Sequence, residues 1–220
     1  MTSSPTPSPT PTPTIEPPRE PTDADRARFI AGYRPAGTSD HRNVAIDLDG
    51  DGQKEIVFAF VVDGEHRTQV DVADWLGTRY EITAAEAGGP AGNLADFRVQ
   101  DLTADGVLDV LLAQTVGTSG TSASLWSSAG DGTLRPLTAS GDCFDGSHTY
   151  GDAGVVVEDG DGDGAAEIRA TCEEPDRPQP LWPVVVYVWD GTTYRCHHRE
   201  PPDGSESPCQ PGRGAAGGAG

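Results

Sequence analysis

A nine-residue pattern occurs three times in this chain, and it limits the possible folds more than any other feature. Asp47-Leu-Asp49-Gly-Asp51-Gly52-Gln53-Lys-Glu55 returns as Asp101-Leu-Thr103-Ala-Asp105-Gly106-Val107-Leu-Asp109, and again as Asp159-Gly-Asp161-Gly-Asp163-Gly164-Ala165-Ala-Glu167. The copies begin 54 and 58 residues apart. A near-constant period of this length marks one supersecondary unit used repeatedly. The same elements surround each copy. An apolar strand enters (Val44 to Ile46, Phe97 to Val99, Val155 to Val157), and a second leaves from Glu55, Asp109 or Glu167. A third carries Trp75, Trp126 or Trp189 close to a Gly turn, and a fourth starts at Tyr80, Leu134 or Tyr194. Four short strands per unit predict an all-β fold: an array of three four-stranded, propeller-like blades over about residues 40–84, 94–138 and 150–198. The repeated tryptophans are expected in the core between blades.

The acids in the pattern have a chemical reason to stand where they do. Calcium is a hard cation that takes six to eight oxygens at about 2.3–2.6 Å. Oxygen-bearing side chains at positions 1, 3 and 5 of a tight loop can converge on one point. Gly at position 6 permits the sharp turn, position 7 can offer its carbonyl, and the acid at position 9 can close the shell. Without a cation, carboxylates crowded into nine residues repel one another and raise their own pKa values. An acidic solvated turn explains a single copy far more easily than three copies in one register. An EF-hand is excluded by its twelfth position, which needs a bidentate Glu. Here that position holds Phe58, Leu112 or Ala170, and each loop runs straight into an apolar β-type segment.

On these residues the three units resemble FG-GAP or VCBS-type repeats, the calcium-loop blades of integrin α-chain propellers and many bacterial surface proteins. The resemblance spans about residues 40–198. It implies Ca²⁺ at Asp47, Asp49, Asp51 and Glu55, at Asp101, Thr103, Asp105 and Asp109, and at Asp159, Asp161, Asp163 and Glu167, with backbone carbonyls from Gln53, Val107 and Ala165. The Phe-Gly and Gly-Ala-Pro segments that name the family are absent, and three units are fewer than its propellers carry. A three-blade arc must leave two open faces, self-associate to complete the array, or belong to something longer. Thr103 stands where its sisters have Asp49 and Asp161, so charge count predicts the weakest binding at the middle loop.

The rest of the sequence sets the context. Acids outnumber bases 35 to 15, giving a net charge of −20. That excludes a phosphate-neutralising grip on nucleic acid and disfavours docking on anionic lipid. No apolar run approaches the roughly 20 residues needed to cross a bilayer. Residues 1–22 hold eight prolines among Thr and Ser and read as a semi-rigid polyproline spacer, while the Gly- and Pro-rich 201–220 read as a disordered tail. The folded part, 23–200, opens with a helix from Asp23 to Tyr33, for which Thr22 is the expected N-cap. Four cysteines allow three disulfide connectivities, of which Cys143–Cys172 with Cys196–Cys209 closes short loops. Cys196-His197-His198 offers zinc as an alternative, but adjacent strand residues point to opposite faces and cannot converge unaided.

Calcium loops, disulfides and a Pro/Thr spacer together point to the cell envelope or extracellular space. The start, which lacks an export signal, then reads as chosen too late or as belonging to a domain cut from a longer precursor. No nucleophile elbow, zinc-protease helix, phosphate loop or dinucleotide loop is present. His41, His66 and His148 read as loop or edge residues. The expected function is a non-catalytic binding or adhesion module with an unknown protein or glycan partner. The alternatives are a catalytic or accessory domain acting on polysaccharide, and the sensor ectodomain of a longer membrane protein.

Overall fold

The computed structural model describes residues 19–90, 92–116, 120–129, 132–137, 144–145, 148–151, 154–172 and 182–209. Helix α1 (Asp23–Gly32) comes first. The first sheet is β1 (Thr38–Ile46), β2 (Glu55–Val62), β3 (Arg67–Trp75) and β4 (Tyr80–Pro90), paired in chain order. The second contains β5 (Asn93–Gln100), β6 (Asp109–Val116) and β7 (Gly120–Ser128). Beyond β7 its fourth position is divided. β8 (Leu134–Pro136) pairs with one end of β7, β10 (His148–Gly151) with the other, and β9 (Phe144–Asp145) lies outside β10. The third sheet is β11 (Val155–Glu158), β12 (Glu167–Thr171), β13 (Val184–Trp189) and β14 (Tyr194–Glu200), again in chain order. Every pairing is antiparallel, and the three sheets do not close into a barrel. The expected all-β blade array is therefore the fold. Residues 148–151, placed by sequence near the start of the third unit, add to the second sheet because they pair with Thr121–Ser124.

The blades stack face to face, and strand periodicity explains how. In β2, Val57, Ala59 and Val61 face the second blade and pack with Leu94, Val110, Leu112 and Trp126. The alternate residues Ile56, Phe58 and Phe60 face the other way, with Trp75 and Tyr80, and are covered by Phe29, Ile30 and Tyr33 around α1. A strand covered on both faces reads as an unbroken apolar run, which is how Ile56 to Val62 reads. The second and third blades share a core of Leu102, Leu111, Leu125, Leu137, Ile168, Val185, Tyr187 and Tyr194. The three tryptophans all face the N-terminal side of their own blade: Trp75 toward α1, Trp126 toward the first blade, and Trp189 against the core shared with the second. Helix α1 thus takes the place of a preceding blade.

The helix begins at Thr22, as expected. Its hydroxyl accepts from the Asp25 amide at 3.2 Å while the Asp25 carboxylate accepts from the Thr22 amide at 3.0 Å, a complete capping box. The innermost strands are stitched by side chains. Asp40 accepts from the Leu94 amide at 2.6 Å and Arg42 donates to the Leu94 carbonyl at 3.2 Å. Arg98 repeats the move on the Val157 carbonyl at 3.4 Å. At the outer side, a Cβ on Gly88 would lie 2.1 Å from Thr68 Oγ1, so any larger residue would have to push that side chain aside, and the Gly89 amide donates to Ser124 of the next blade at 3.0 Å.

On the far face of the third sheet, Val156, Arg169, Val186 and His198 form one cross-strand row. Glu200 pairs there with Arg169 at 2.5 Å and with His198 at 3.0 Å. Cys196 is joined to Cys209 with a Cα separation of 6.0 Å, and the Arg199–Ser207 bridge ties the same segment back to β14. Residues 201–209, assigned by sequence to a disordered tail, are held there by those two links.

Candidate metal centres

Each repeated loop joins the first strand of its blade to the second, and its backbone is shaped by its own acids. The carboxylate at position 1 accepts from the amide at position 6: Gly52 to Asp47 at 3.1 Å, Gly106 to Asp101 at 2.9 Å, and Gly164 to Asp159 at 3.1 Å. Position 5 accepts from position 7: Gln53 to Asp51 at 2.7 Å, Val107 to Asp105 at 2.9 Å, and Ala165 to Asp163 at 2.8 Å. Position 9 accepts from the amide at position 2: Leu48 to Glu55 at 2.5 Å, Leu102 to Asp109 at 2.9 Å, and Gly160 to Glu167 at 2.6 Å. The position-6 glycines sit at φ 90°, 83° and 99°, the left-handed region that glycine enters without a Cβ clash. At position 4 the outer loops also use glycine, whereas the middle one holds Ala104 at φ 55°.

The three loops differ in how their oxygens gather. Asp159, Asp161, Asp163 and Glu167 each place an oxygen within 4.8 Å of the others, and so do Asp47, Asp49 and Asp51. That span is about two calcium–oxygen bonds laid end to end. Glu55 stands apart from its group, with one oxygen held by the Leu48 amide. In the middle loop, Asp101, Asp105 and Asp109 do not come that close together. Thr103 instead donates to Asp109 at 3.3 Å.

Burial differs as well. Asp159, Asp161 and Asp163 are exposed, whereas Glu55 is 4% and Asp109 0% exposed. Burial pushes Glu55 up to about 7, with Asp49 and Asp74 adding repulsion and the Leu48 amide opposing. It pushes Asp109 up to about 6, against the pull of the Leu102 amide and the nearby Ser127 hydroxyl. One oxygen of Asp109, Oδ1, is fully buried with no hydrogen-bond partner. An all-oxygen donor set, converging carboxylates and a buried carboxylate oxygen lacking a donor fit a hard cation better than a soft one.

Two neighbours of these loops escaped the motif. Asp74 of β3 lies one step beyond the Ile56–Ala73 pair, near enough to Glu55 to repel it. Asp74 feels Asp49 and Asp51, and its pKa is raised first by burial and then by those two acids. The signal was available as an acid inside the strand Val70-Asp-Val-Ala-Asp74-Trp75, but it is visible only once cross-strand pairing is known. The second is Ser128, 1% exposed. It donates its hydroxyl to the Leu48 carbonyl at 2.8 Å and its amide to the Leu108 carbonyl at 3.0 Å, linking the first loop to the second. The second and third loops are joined directly, Ala166 N–H to the Leu102 carbonyl at 2.7 Å.

The remaining candidates fall elsewhere. Cys196 is spent in its disulfide, which removes the zinc alternative, and the His197 and His198 rings meet edge to face instead. Cys172 is disulfide-bonded as well, while Cys143, its expected partner, lies outside the described residues. His41 stacks on Phe60, and His66 occupies the β2–β3 turn at φ 50°. Among the described residues, no helix is long and apolar enough to cross a membrane. No protein-family model, curated protein or solved structure matches the chain.

Proposed function

We propose that this chain is a calcium-binding, non-catalytic binding module of the FG-GAP or VCBS type that works outside the cytosol. The reading is carried by one observation: the same carboxylate-to-amide pattern shapes three loops at one register, and each loop ends at a blade junction. A cation in each loop neutralises acids that otherwise repel, and holds the edges of neighbouring blades together. The partner, a protein or glycan, would be met by the rigid surface that such blades present. Three divalent cations would bring the formal charge from −20 to −14. The disulfide supports an oxidising compartment.

The test is a thermal melt of the full chain in EDTA and across a Ca²⁺ titration, with bound calcium counted by equilibrium dialysis. Tm should climb steadily with free calcium, as expected for a ligand that binds only the folded state, and three equivalents should be retained. A Tm indifferent to calcium makes the loops plain acidic turns and ends the proposal.

A further inference from the structure

The proline-rich run that opens the sequence has no part in the acidic loops, yet the structure shows where it arrives. Residues 1–18 lie outside the described residues, and Arg19 is the first one described. Arg19 is gripped by the first blade and by α1. Its amide donates to the Gly77 carbonyl at 3.2 Å, its carbonyl accepts from the Trp75 indole at 2.5 Å, and its guanidinium lies 4.9 Å from the centroid of the Trp75 ring. The guanidinium also pairs with Asp25 at 2.7 Å. Arg19 stands three residues before the N-cap Thr22 and Asp25 three residues after it, so the chain upstream of the helix doubles back along α1. Thr22 itself, at φ −88° and ψ 163°, is extended and close to polyproline II.

Beside Arg19, an open groove of about 380 Å³ runs along α1. Asp25, Phe29 and Gly32 line it from the helix, and Trp75 and Tyr80 from the ends of β3 and β4. Asp25 to Gly32 is seven helical steps, about 10 Å, which an extended proline segment at about 3.1 Å per residue covers in roughly three to four residues. Aromatic-lined grooves suit such segments, because a chain already held in polyproline II loses little freedom on docking. Counted back from Arg19 beside Asp25, the residues that would span the groove are Ile15, Glu16, Pro17 and Pro18. Their chemistry agrees with the walls. Ile15 is the one aliphatic side chain between Met1 and Arg19, and the count brings it level with Gly32 and Tyr33, beyond the Phe29 ring. Glu16 is the one acid in the first eighteen residues, and Arg28 and Arg79 border the groove. We infer that residues 15–18 of this chain lie in this groove as an extended segment antiparallel to α1. They would complete the cover over the aromatic face of the first blade, and the rest of the spacer would leave the domain near Gly32, not beside Asp23.

The test puts a photo-crosslinking benzoylphenylalanine at position 15 of the full chain, with the same side chain at position 5 as the control. Irradiated in dilute solution and mapped by mass spectrometry, position 15 should join to the peptide carrying Phe29 and Tyr33 within one molecule, whereas position 5 should give no preferred product. The second measurement is the melt of a full chain with Ile15→Ser, Pro17→Gly and Pro18→Gly. These changes touch nothing in the blades and should lower Tm by a few degrees, because the aromatic face loses part of its cover. Crosslinks from position 15 that scatter over the surface, or that match those from position 5, overturn the inference. So does a crosslinked dimer as the main product, which would give the groove to the segment of a second copy. An unchanged Tm in the triple variant overturns it as well.

Discussion

At the scale of single residues, Glu55 and Asp109 carry the clearest consequence. Both are carboxyls whose folded pKa lies above the ordinary value, chiefly because the fold takes them out of water. In calcium-free solution the fold then holds protons that the unfolded chain has already released. Stability should therefore rise as pH falls through about 7 and then about 6, and the gain is complete below the ordinary carboxylate range. Glu200 works in the opposite sense. His198 and Arg169 hold its pKa low, so its contribution is present above the ordinary value and is lost only at more acidic pH. The two windows meet only in the ordinary carboxylate range. A melt series in EDTA from pH 8 to 5.5 should show Tm rising by a few degrees, at roughly 2–4 °C per kcal/mol for a chain of this size. With calcium present the trend should invert, because protons then compete with the metal for the same oxygens. A Tm in EDTA that falls steadily over that range contradicts the burial of these two acids.

At the scale of elements, α1 is short and has no fully buried residue, yet it covers the aromatic face of the first blade. Phe29 stacks on Tyr33 at 5.6 Å and meets Phe58 and Tyr80 at 6.0 and 5.5 Å. Thr22→Ala should cost about 1 kcal/mol through the lost cap. Phe29→Ala should cost about 2 kcal/mol, less than a fully buried Phe because the ring is only half covered. Urea midpoints would measure both, and only the second should increase binding of an apolar dye. The helix was legible from Thr22 and its acids, and the strands from their alternation and the loop period. The helix's role as a substitute blade was not legible, because nothing local in Phe29, Ile30 and Tyr33 says which sheet face they will cover. The acids that gather in the first and third loops were readable from spacing, since residues close in sequence need no tertiary information to meet, whereas the middle loop, spaced alike, does not bring its acids together. Asp74 and Ser128 were not readable, because they reach the loops from β3 and β7 through pairing and stacking that local patterns do not encode.

At the scale of the whole molecule, the two ends of the array are finished differently. One end is covered by the aromatic helix. The other carries a cross-strand row with Arg169, His198 and Glu200 in contact, and a disulfide that ties residues 201–209 to β14. Replacing both Cys196 and Cys209 by Ser frees a loop of sequence separation 13 and should cost about 3 kcal/mol by the chain-entropy argument, read from a urea titration. The calcium response of the middle loop should survive that change, since it sits one blade away.

The covered first face also gives the stack a direction. A repeat unit added before the first blade would have to displace Phe29, Ile30 and Tyr33 from their places on Phe58 and Tyr80. A unit added after the third would meet a face where Val156 is already 46% exposed, and where exchanging Arg169, His198 and Glu200 for apolar residues would prepare a new junction. Val186 in the same row is 3% exposed, so lengthening the architecture by design at this end would also mean clearing what covers it, and each added unit would bring its own acidic loop to the growing edge.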